Sequence, residues 1–139
     1  MIKVLVTGLP GSGKTYFSEM VRRKDPSRIK IFNGDLVRAA FCDWGFSHED
    51  RTRQAIRMSE MWIPSHVDMV LYDFVCPRNV FRDIVNADVV VFVDTIAISK
   101  YADTNVIWEE PTNYRYRITE FQQFQTFVDS LFSEYMSFY

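Results

Sequence analysis

The octapeptide GLPGSGKT at residues 8–15 limits what this chain can fold into more than any other stretch. It fits the pattern G-x-x-x-x-G-K-[ST] in full, after an apolar run at Ile2 to Val6 and before a stretch of helical character at Lys14 to Arg23. Its glycines let the backbone curve closely, so that successive N–H groups and the positive end of the following helix dipole face a phosphate. The pattern therefore predicts a phosphate-binding loop, or P-loop, between a buried strand and a helix.

The P-loop pattern also predicts what is bound there. Lys14 supplies a point charge for the outer phosphates of a nucleoside triphosphate, and the Thr15 hydroxyl is placed to bind Mg²⁺. We therefore expect ATP and Mg²⁺ at this loop. The residues expected to surround the phosphates are Gly8, Gly11, Ser12, Gly13, Lys14 and Thr15.

The rest of the chain alternates between strand-like and helix-like segments. Strands are predicted at residues 2–6, 29–32, 67–75 and 88–94, with a shorter one at 106–108. The last helix is predicted over residues 118–136, with an apolar stripe that packs on the sheet as core. This order predicts an α/β fold of the P-loop NTPase type, with three α/β/α layers around a mostly parallel sheet of about five strands. We expect one kinase domain over residues 1–139, with the loops after residues 6, 32, 75 and 94 around a single site.

Composition limits the binding partners and the cellular compartment that we expect for this chain. A net charge of −2 gives no overall attraction to nucleic acid, so a nucleic-acid partner stays open but is not favoured. The apolar runs are short, as at Val89 to Val93, so we expect no membrane span and no leader. Cys42 and Cys76 lack metal-ligand spacing and are typical of free thiols in a reducing compartment. The expectation is a cytoplasmic protein, with a homodimer left open.

The P-loop alone does not identify the acceptor of the phosphoryl group. Transfer to a small molecule needs a carboxylate near the acceptor hydroxyl and cations for the acceptor's charge. Asp35, at the tip of the second predicted strand, is the first candidate base, although a turn or N-cap aspartate explains it equally well. Arg38 lies three residues further along the same helical face. The next helix carries Arg51, Arg53 and Arg57, which either bind an anion or form a solvated surface.

The stretch NGDLVRAAFCDWGFSHEDRTRQAIR, residues 33–57, resembles the adenylylsulfate kinase signature, in which a D-G-D-N-x-R segment precedes a G-F-S-x-x-D-R segment. Three further segments are similar to that family in the same order, DFVCP at 73–77, FVDT at 92–95 and IWEEP at 107–111. The resemblance therefore covers most of the chain. In the signature stretch the matching residues are Gly34, Asp35, Arg38, Gly45, Phe46, Ser47, Asp50 and Arg51.

This resemblance implies transfer of the γ-phosphoryl group of ATP to the 3′-hydroxyl of adenylylsulfate, a small, nucleotide-like anionic acceptor. Lys14 and Asp35 would then be catalytic, with Asp35 as the base or the group that positions the hydroxyl. The phosphosulfate would be held by Arg38 and Arg51, and we count Arg57 with them as substrate-binding. The adenine would lie between Phe46 and Phe74, although burial in the core accounts for both phenylalanines equally well.

The chain also departs from the resembled pattern. Asn33 and Leu36 replace an aspartate and an asparagine, and Asp73 stands at a strand end where a small residue is usual. We count Asp73 as a third catalytic candidate, which could bind Mg²⁺ through water, act as the base, or make a structural hydrogen bond. A long basic lid after the fourth strand is missing, and Arg115 and Arg117 are candidates to replace its cations.

The missing lid leaves two other functions open. An open site accepts a larger substrate, such as a nucleotide, a polynucleotide end or a modified base. Alternatively, the chain binds nucleotide with little or no catalysis, although the intact Lys14, Thr15 and Asp35 argue against this reading. A basic track into the site would indicate a polynucleotide, and its candidates are Arg51, Arg53, Arg57 and Arg78.

Overall fold

Five parallel strands form one sheet in the computed structural model, which describes residues 1–136. The strands are β1 (Ile2–Thr7), β2 (Ile29–Asn33), β3 (Met69–Asp73), β4 (Val89–Val93) and β5 (Tyr116–Ile118). Their order across the sheet is β2-β3-β1-β4-β5, so β1 and the P-loop that follows it lie at the centre. Because every pairing is parallel, the carboxyl ends of all five strands lie on the same edge. The predicted α/β fold is confirmed.

Within residues 1–136, six helices cover the two faces of this sheet. They are α1 (Lys14–Arg22), α2 (Gly34–Ala40), α3 (His48–Glu60), α4 (Asn79–Val85), α5 (Ala102–Ile107) and α6 (Phe124–Tyr135), the last preceded by a 3₁₀ turn at Phe121–Gln123. None of the helices in the described part of the chain has the length and apolar character that a membrane crossing requires.

The core lies in two layers because side chains alternate along each strand. On β1, Val4 and Val6 join the apolar cluster formed with α1 and α6. Leu5 points the other way and joins a second cluster with α2, α3 and α4. In the first cluster, Phe17 of α1 meets Phe124 of α6 edge to face, with ring centroids 5.8 Å apart. The apolar stripe of the last helix is thus core, as predicted.

The fifth strand was predicted in the wrong place. Residues 106–108 are not a strand, since Val106 lies in α5 and Trp108 caps its end. The position beside β4 is taken by β5, which is held there by hydrogen bonds such as that from the amide of Asp94 to the carbonyl of Ile118 at 2.7 Å. Ile118 is therefore fully buried as strand, and the last helix begins at Phe124 rather than at 118.

Helix α3 begins with a capping box. The Ser47 hydroxyl accepts a hydrogen bond from the amide of Asp50, and the Asp50 carboxylate accepts one from the amide of Ser47, both at 3.1 Å. Such a box satisfies donors that the first turn would leave unpaired. It fixes the start of the helix, and with it the placement of Phe46 just before and Arg51 just after.

Candidate active site

A cleft of about 840 Å³ opens at the carboxyl edge of the sheet. Its walls come from the P-loop, from the segments that follow β2, β3 and β4, and from α3. These are the loops that the strand order predicts to meet. The cleft lining includes nine of the predicted site residues, namely Gly11, Lys14, Thr15, Asp35, Arg38, Phe46, Arg51, Asp73 and Phe74.

The P-loop has the backbone geometry of a phosphate cradle. Gly11 and Gly13 have φ angles of 86° and 103°, in the left-handed region that favours glycine. At Gly13 a Cβ would also lie 2.9 Å from a ring carbon of Phe121, so the loop has no space for a larger residue there. Gly8 passes close to the carbonyl of Val93, which leaves no room for a side chain on that side of the loop either.

Lys14 is nearly buried beneath this loop. Its side chain is 9% exposed, and its Nζ donates to the carbonyl of Leu9 at 3.1 Å. Burial lowers the pKa of Lys14 to about 8, although the negative charges of Asp73 and Asp35 oppose this shift. A buried ammonium with so few partners favours the binding of an anion, because the anion replaces the stabilisation that water gives to an exposed ammonium.

The hydroxyl of Ser12 is a second polar group of the P-loop that is placed to bind a ligand. Its backbone carbonyl accepts a hydrogen bond from the Thr95 hydroxyl at 2.6 Å, which ties the P-loop to the end of β4. Its own hydroxyl is buried against Gly8 and has no hydrogen-bond partner among residues 1–136. Buried hydroxyls are normally paired, so this part of the P-loop fits a phosphate.

Thr15, Asn33 and Asp73 form a hydrogen-bonded group beside Lys14. The Thr15 hydroxyl donates to Asp73 Oδ2 at 2.7 Å, and the Asn33 amide donates to the same oxygen at 3.0 Å. Asp73 is only 2% exposed. Hydroxyl and carboxylate oxygens are the ligands that Mg²⁺ prefers, usually with water and phosphate oxygens completing the shell. The described residues contain no group of three or more His, Cys, Asp or Glu suited to a metal. The oxygens of Thr15 and Asp73 fit an Mg²⁺ ion that is held together with a nucleotide.

Asp35 faces the cleft from the first turn of α2. The N-cap of that helix is Asn33, whose side chain accepts from the amide of Leu36 at 3.1 Å. Asp35 is therefore not the N-cap, which was one of the structural explanations that the sequence left open. Its carboxylate is exposed in the cleft, whereas that of Asp73 is committed to two hydrogen bonds.

Arg38 and Arg51 both lie close to the ring of Phe46. The Phe46 ring lies 4.6 Å from the guanidinium carbon of Arg38 and 5.3 Å from that of Arg51. Both arginines are held by backbone carbonyls, Arg38 by Gly45 at 2.6 Å and Arg51 by Phe46 at 2.8 Å. Burial lowers the pKa of Arg38, and the nearby charge of Arg51 adds to that effect. Two buried cations on the cleft wall are therefore suited to bind an anion.

Gln54 is a cleft residue that the sequence analysis missed. It is 2% exposed, and its Nε2 donates to the carbonyl of Gly34 at 3.0 Å. Its Oε1 has no hydrogen-bond partner among the described residues. The signal was its position three residues after Arg51, on the same face of α3. Phe74, which follows β3, lines the cleft and is partly buried, as the resemblance implied for a base-binding residue.

Arg57 does not line the cleft. It donates to Asp43 at 2.7 Å and stacks over Phe41, whose ring centroid is 4.7 Å away. Arg53 donates to the same carboxylate at 2.9 Å. These two arginines hold the pKa of Asp43 well below its usual range. The basic track proposed for a polynucleotide is therefore interrupted, and Arg78 is likewise paired, with Glu109 at 3.4 Å.

A short segment follows β4 at the point where the resemblance implies a longer lid. The side chain of Asn105 bonds three times to Ser99, at 2.7, 2.8 and 2.9 Å, and so closes a small loop at residues 99–105. Lys100 of this loop lines the cleft. Arg115 and Arg117 do not line it, because they pair with Glu134 and Asp94 instead. On this side the cleft is therefore lined by the cation of Lys100, and not by Arg115 and Arg117 as expected from the sequence.

Comparisons with known proteins support one family. The adenylylsulphate kinase family model matches residues 1–115. A probable adenylyl-sulfate kinase of Aeropyrum pernix is 32% identical over 105 residues, which are 67% of this chain and 56% of that protein. The match thus spans little more than half the length of that curated relative.

Solved structures agree on the fold. The APS kinase of Mycobacterium tuberculosis in complex with AMPPNP and APS superposes with a TM-score of 0.80 at 22% identity, over 95% of each chain. Shikimate kinase from Acinetobacter baumannii in complex with shikimate gives a TM-score of 0.59 at 14% identity, over 99% of this chain and 96% of the other. Both place the chain among folds of the P-loop kinase type.

Proposed function

The chain belongs to the adenylylsulphate kinase family, and we propose that it is a cytoplasmic kinase that transfers the γ-phosphoryl group of ATP to a hydroxyl of a small, nucleotide-like anion. Adenylylsulfate, accepting at its 3′-hydroxyl, is the acceptor we favour. One observation carries the proposal. The exposed carboxylate of Asp35 shares a single cleft with the cations Lys14, Arg38 and Arg51.

At the donor end, the P-loop backbone and Lys14 bind the triphosphate. The nearly buried ammonium of Lys14 gains most from the outer phosphates, because burial has removed its water. Binding at a rigid loop also orients the γ-phosphorus toward the rest of the cleft, which is the larger part of catalysis in phosphoryl transfer. Ser12 gives a hydroxyl that is already desolvated and ready to pair.

Thr15 and Asp73 would hold Mg²⁺, with Asp73 acting through water. An Mg²⁺ ion held there would supply positive charge to offset the negative charge that develops on the phosphates during transfer. Asn33 holds the Asp73 carboxylate in place from β2, so the orientation of the oxygens is set before any ligand arrives.

Asp35 is the base, or the group that positions the acceptor hydroxyl. Its carboxylate lines the cleft and is not used to cap α2, whereas Asp73 already accepts hydrogen bonds from Thr15 and Asn33. A carboxylate free to accept the hydroxyl proton is what this step needs.

The acceptor lies against α2 and α3. Arg38 and Arg51 bind its anionic group, and Phe46 and Phe74 contact its base. The unpaired Oε1 of Gln54 accepts a hydrogen bond from the acceptor, since a buried amide oxygen without a partner is costly. Arg57 is left out of this set and acts instead on the α2–α3 junction through Asp43.

A screen of acceptors tests this proposal. Labelled γ-phosphate of ATP is offered with adenylylsulfate, with nucleosides and with DNA ends, using the wild-type chain and Lys14→Ala. Transfer to adenylylsulfate that is lost in the variant is expected. Transfer to DNA ends alone would favour the polynucleotide reading, and ATP binding without transfer to any acceptor would leave a nucleotide-binding module.

A further inference from the structure

The segment that replaces the lid brings a negative charge to the acceptor side of the cleft. The first turn of α5 places Asp103 with its carboxylate oxygen 3.5 Å from a terminal nitrogen of Arg51. The neighbouring Thr104 hydroxyl accepts a hydrogen bond from that same nitrogen at 3.2 Å. Both α5 residues line the cleft. One arginine of the anion site is therefore already engaged by the chain itself.

The two members of this ion pair differ in their freedom to move. Arg51 is 6% exposed and is fixed by its bond to the Phe46 carbonyl, whereas the Asp103 side chain is 64% exposed. An exposed aspartate swings to another rotamer at small cost, because an ion pair in contact with water is worth little. Asp103 can leave Arg51 while Thr104, which is buried, stays in place.

The anionic group of an acceptor would need the same guanidinium. If Asp103 stayed, two negative charges would lie a few ångströms apart, and the repulsion would oppose binding. If Asp103 moved away, binding would still have to offset the lost ion pair. Either way its charge weakens the binding of anions at this end of the cleft, and does so without touching the P-loop.

We propose that Asp103 is an internal competitor for the anion site on Arg51, so that an anionic acceptor binds there only if its contacts offset the loss of this ion pair. This inference rests on the proposed function in placing an anionic acceptor beside Arg51. Asp103 thus lowers the affinity of the acceptor end of the cleft for anions, while Arg38 and Arg51 are also held by the carbonyls of Gly45 and Phe46.

The test compares Asp103→Asn with the wild-type chain by calorimetry, using two probes, adenylylsulfate and inorganic sulfate, in the presence of MgADP. We expect both probes to bind about threefold to tenfold more tightly to the variant, as the loss of one nearby like charge predicts. The affinity for MgATP should not change. Glu110→Gln is the matched control, since it removes the same charge from an exposed neighbour outside the cleft lining.

Each outcome bears on the inference. Unchanged or weaker sulfate binding in Asp103→Asn overturns it, and so does equal tightening in Glu110→Gln, which would indicate only the overall charge. If sulfate binds more tightly but adenylylsulfate does not bind at all, the choice of acceptor is wrong and the role of Asp103 stands. Asp103→Ala removes the charge without introducing an amide, and so controls for an effect of the new amide in Asp103→Asn. Unfolding is monitored in each variant.

Discussion

The hydroxyl of Thr15 donates a hydrogen bond of 2.7 Å to the carboxylate of Asp73, and so joins the start of α1 to the end of β3. The two residues are 58 positions apart in the sequence. Their contact follows from the pairing of β1 with β3, whose register sets Val6 opposite Asp73. The end of β3 thus reaches the residue of the P-loop expected to bind Mg²⁺.

Replacing Asp73 should weaken the binding of Mg²⁺. In Asp73→Asn the negative charge beside Thr15 is lost, and we expect the affinity for Mg²⁺ in the nucleotide complex to fall about tenfold to a hundredfold, as is usual for residues that orient metal ligands. Binding of Mn²⁺ followed by electron paramagnetic resonance measures this directly. Asp88→Asn is the control, because Asp88 lies at the opposite edge of the sheet, before β4. Equal Mn²⁺ affinity in both variants would contradict the role given to Asp73.

Replacing Asp35 should affect turnover rather than binding of ATP. Because Asp35 lines the cleft without capping α2, Asp35→Asn should fold normally and lose about 10²-fold to 10⁴-fold in kcat, the range of general-base catalysis. Steady-state kinetics with ATP and adenylylsulfate give both constants. Asp83→Asn, an exposed change on α4, should behave as wild type. Full activity in Asp35→Asn would move the base role to Asp73.

Lys14 should lower the stability of the ligand-free protein. Its pKa is lower in the folded state, about 8, than its ordinary 10.5, so the unfolded chain binds more protons between these values. The folding free energy is therefore least favourable below pH 8 and improves as pH rises toward 10.5. We expect Lys14→Met to be more stable than wild type at pH 7 by roughly 1–3 kcal/mol, and the difference to shrink between pH 8 and 10. Urea unfolding across this pH range tests it, and a difference independent of pH would contradict it.

Phe46 and Phe41 offer a matched pair of substitutions. Each ring is about half exposed and lies under an arginine, yet only Phe46 lines the cleft. We expect Phe46→Leu to raise the KM for the acceptor about threefold to tenfold, the worth of one aromatic or cation–π contact, with the KM for ATP unchanged. Phe41→Leu should leave both constants alone. An equal rise in the two variants would mean that the α2–α3 junction, not base contact, is responsible.

The sequence predicted the donor half of the site better than the acceptor half. The P-loop is contiguous, so its geometry follows from eight residues and the strand and helix on either side. Likewise the capping box of Ser47 and Asp50 is local, and both of its bonds form. The sequence could not show which residues, far apart in the chain, form ion pairs or strand pairings next to these elements.

Asp43 and Tyr116 show why the place of Arg57 and the position of the fifth strand could not be predicted from the sequence. Arg57 has the spacing of a site residue, but its guanidinium forms an ion pair with Asp43, which lies 14 positions before it. The strand Tyr116–Ile118 has only three residues and an arginine at its centre, too few for a period to show. The apolar pattern at 106–108 was the stronger signal, yet Val106 is 85% exposed on α5. Pairing with β4, not local propensity, decides which segment becomes the fifth strand.

The most direct test of the account is the product formed from ATP and adenylylsulfate, followed by phosphorus NMR with the wild-type chain, Lys14→Ala and Asp35→Asn. We predict a new phosphate monoester at the 3′-position of adenylylsulfate in the wild-type reaction, with matching release of ADP and with little or none in the two variants. ATP that binds but stays intact with adenylylsulfate present, or transfer that continues in Lys14→Ala, would contradict it.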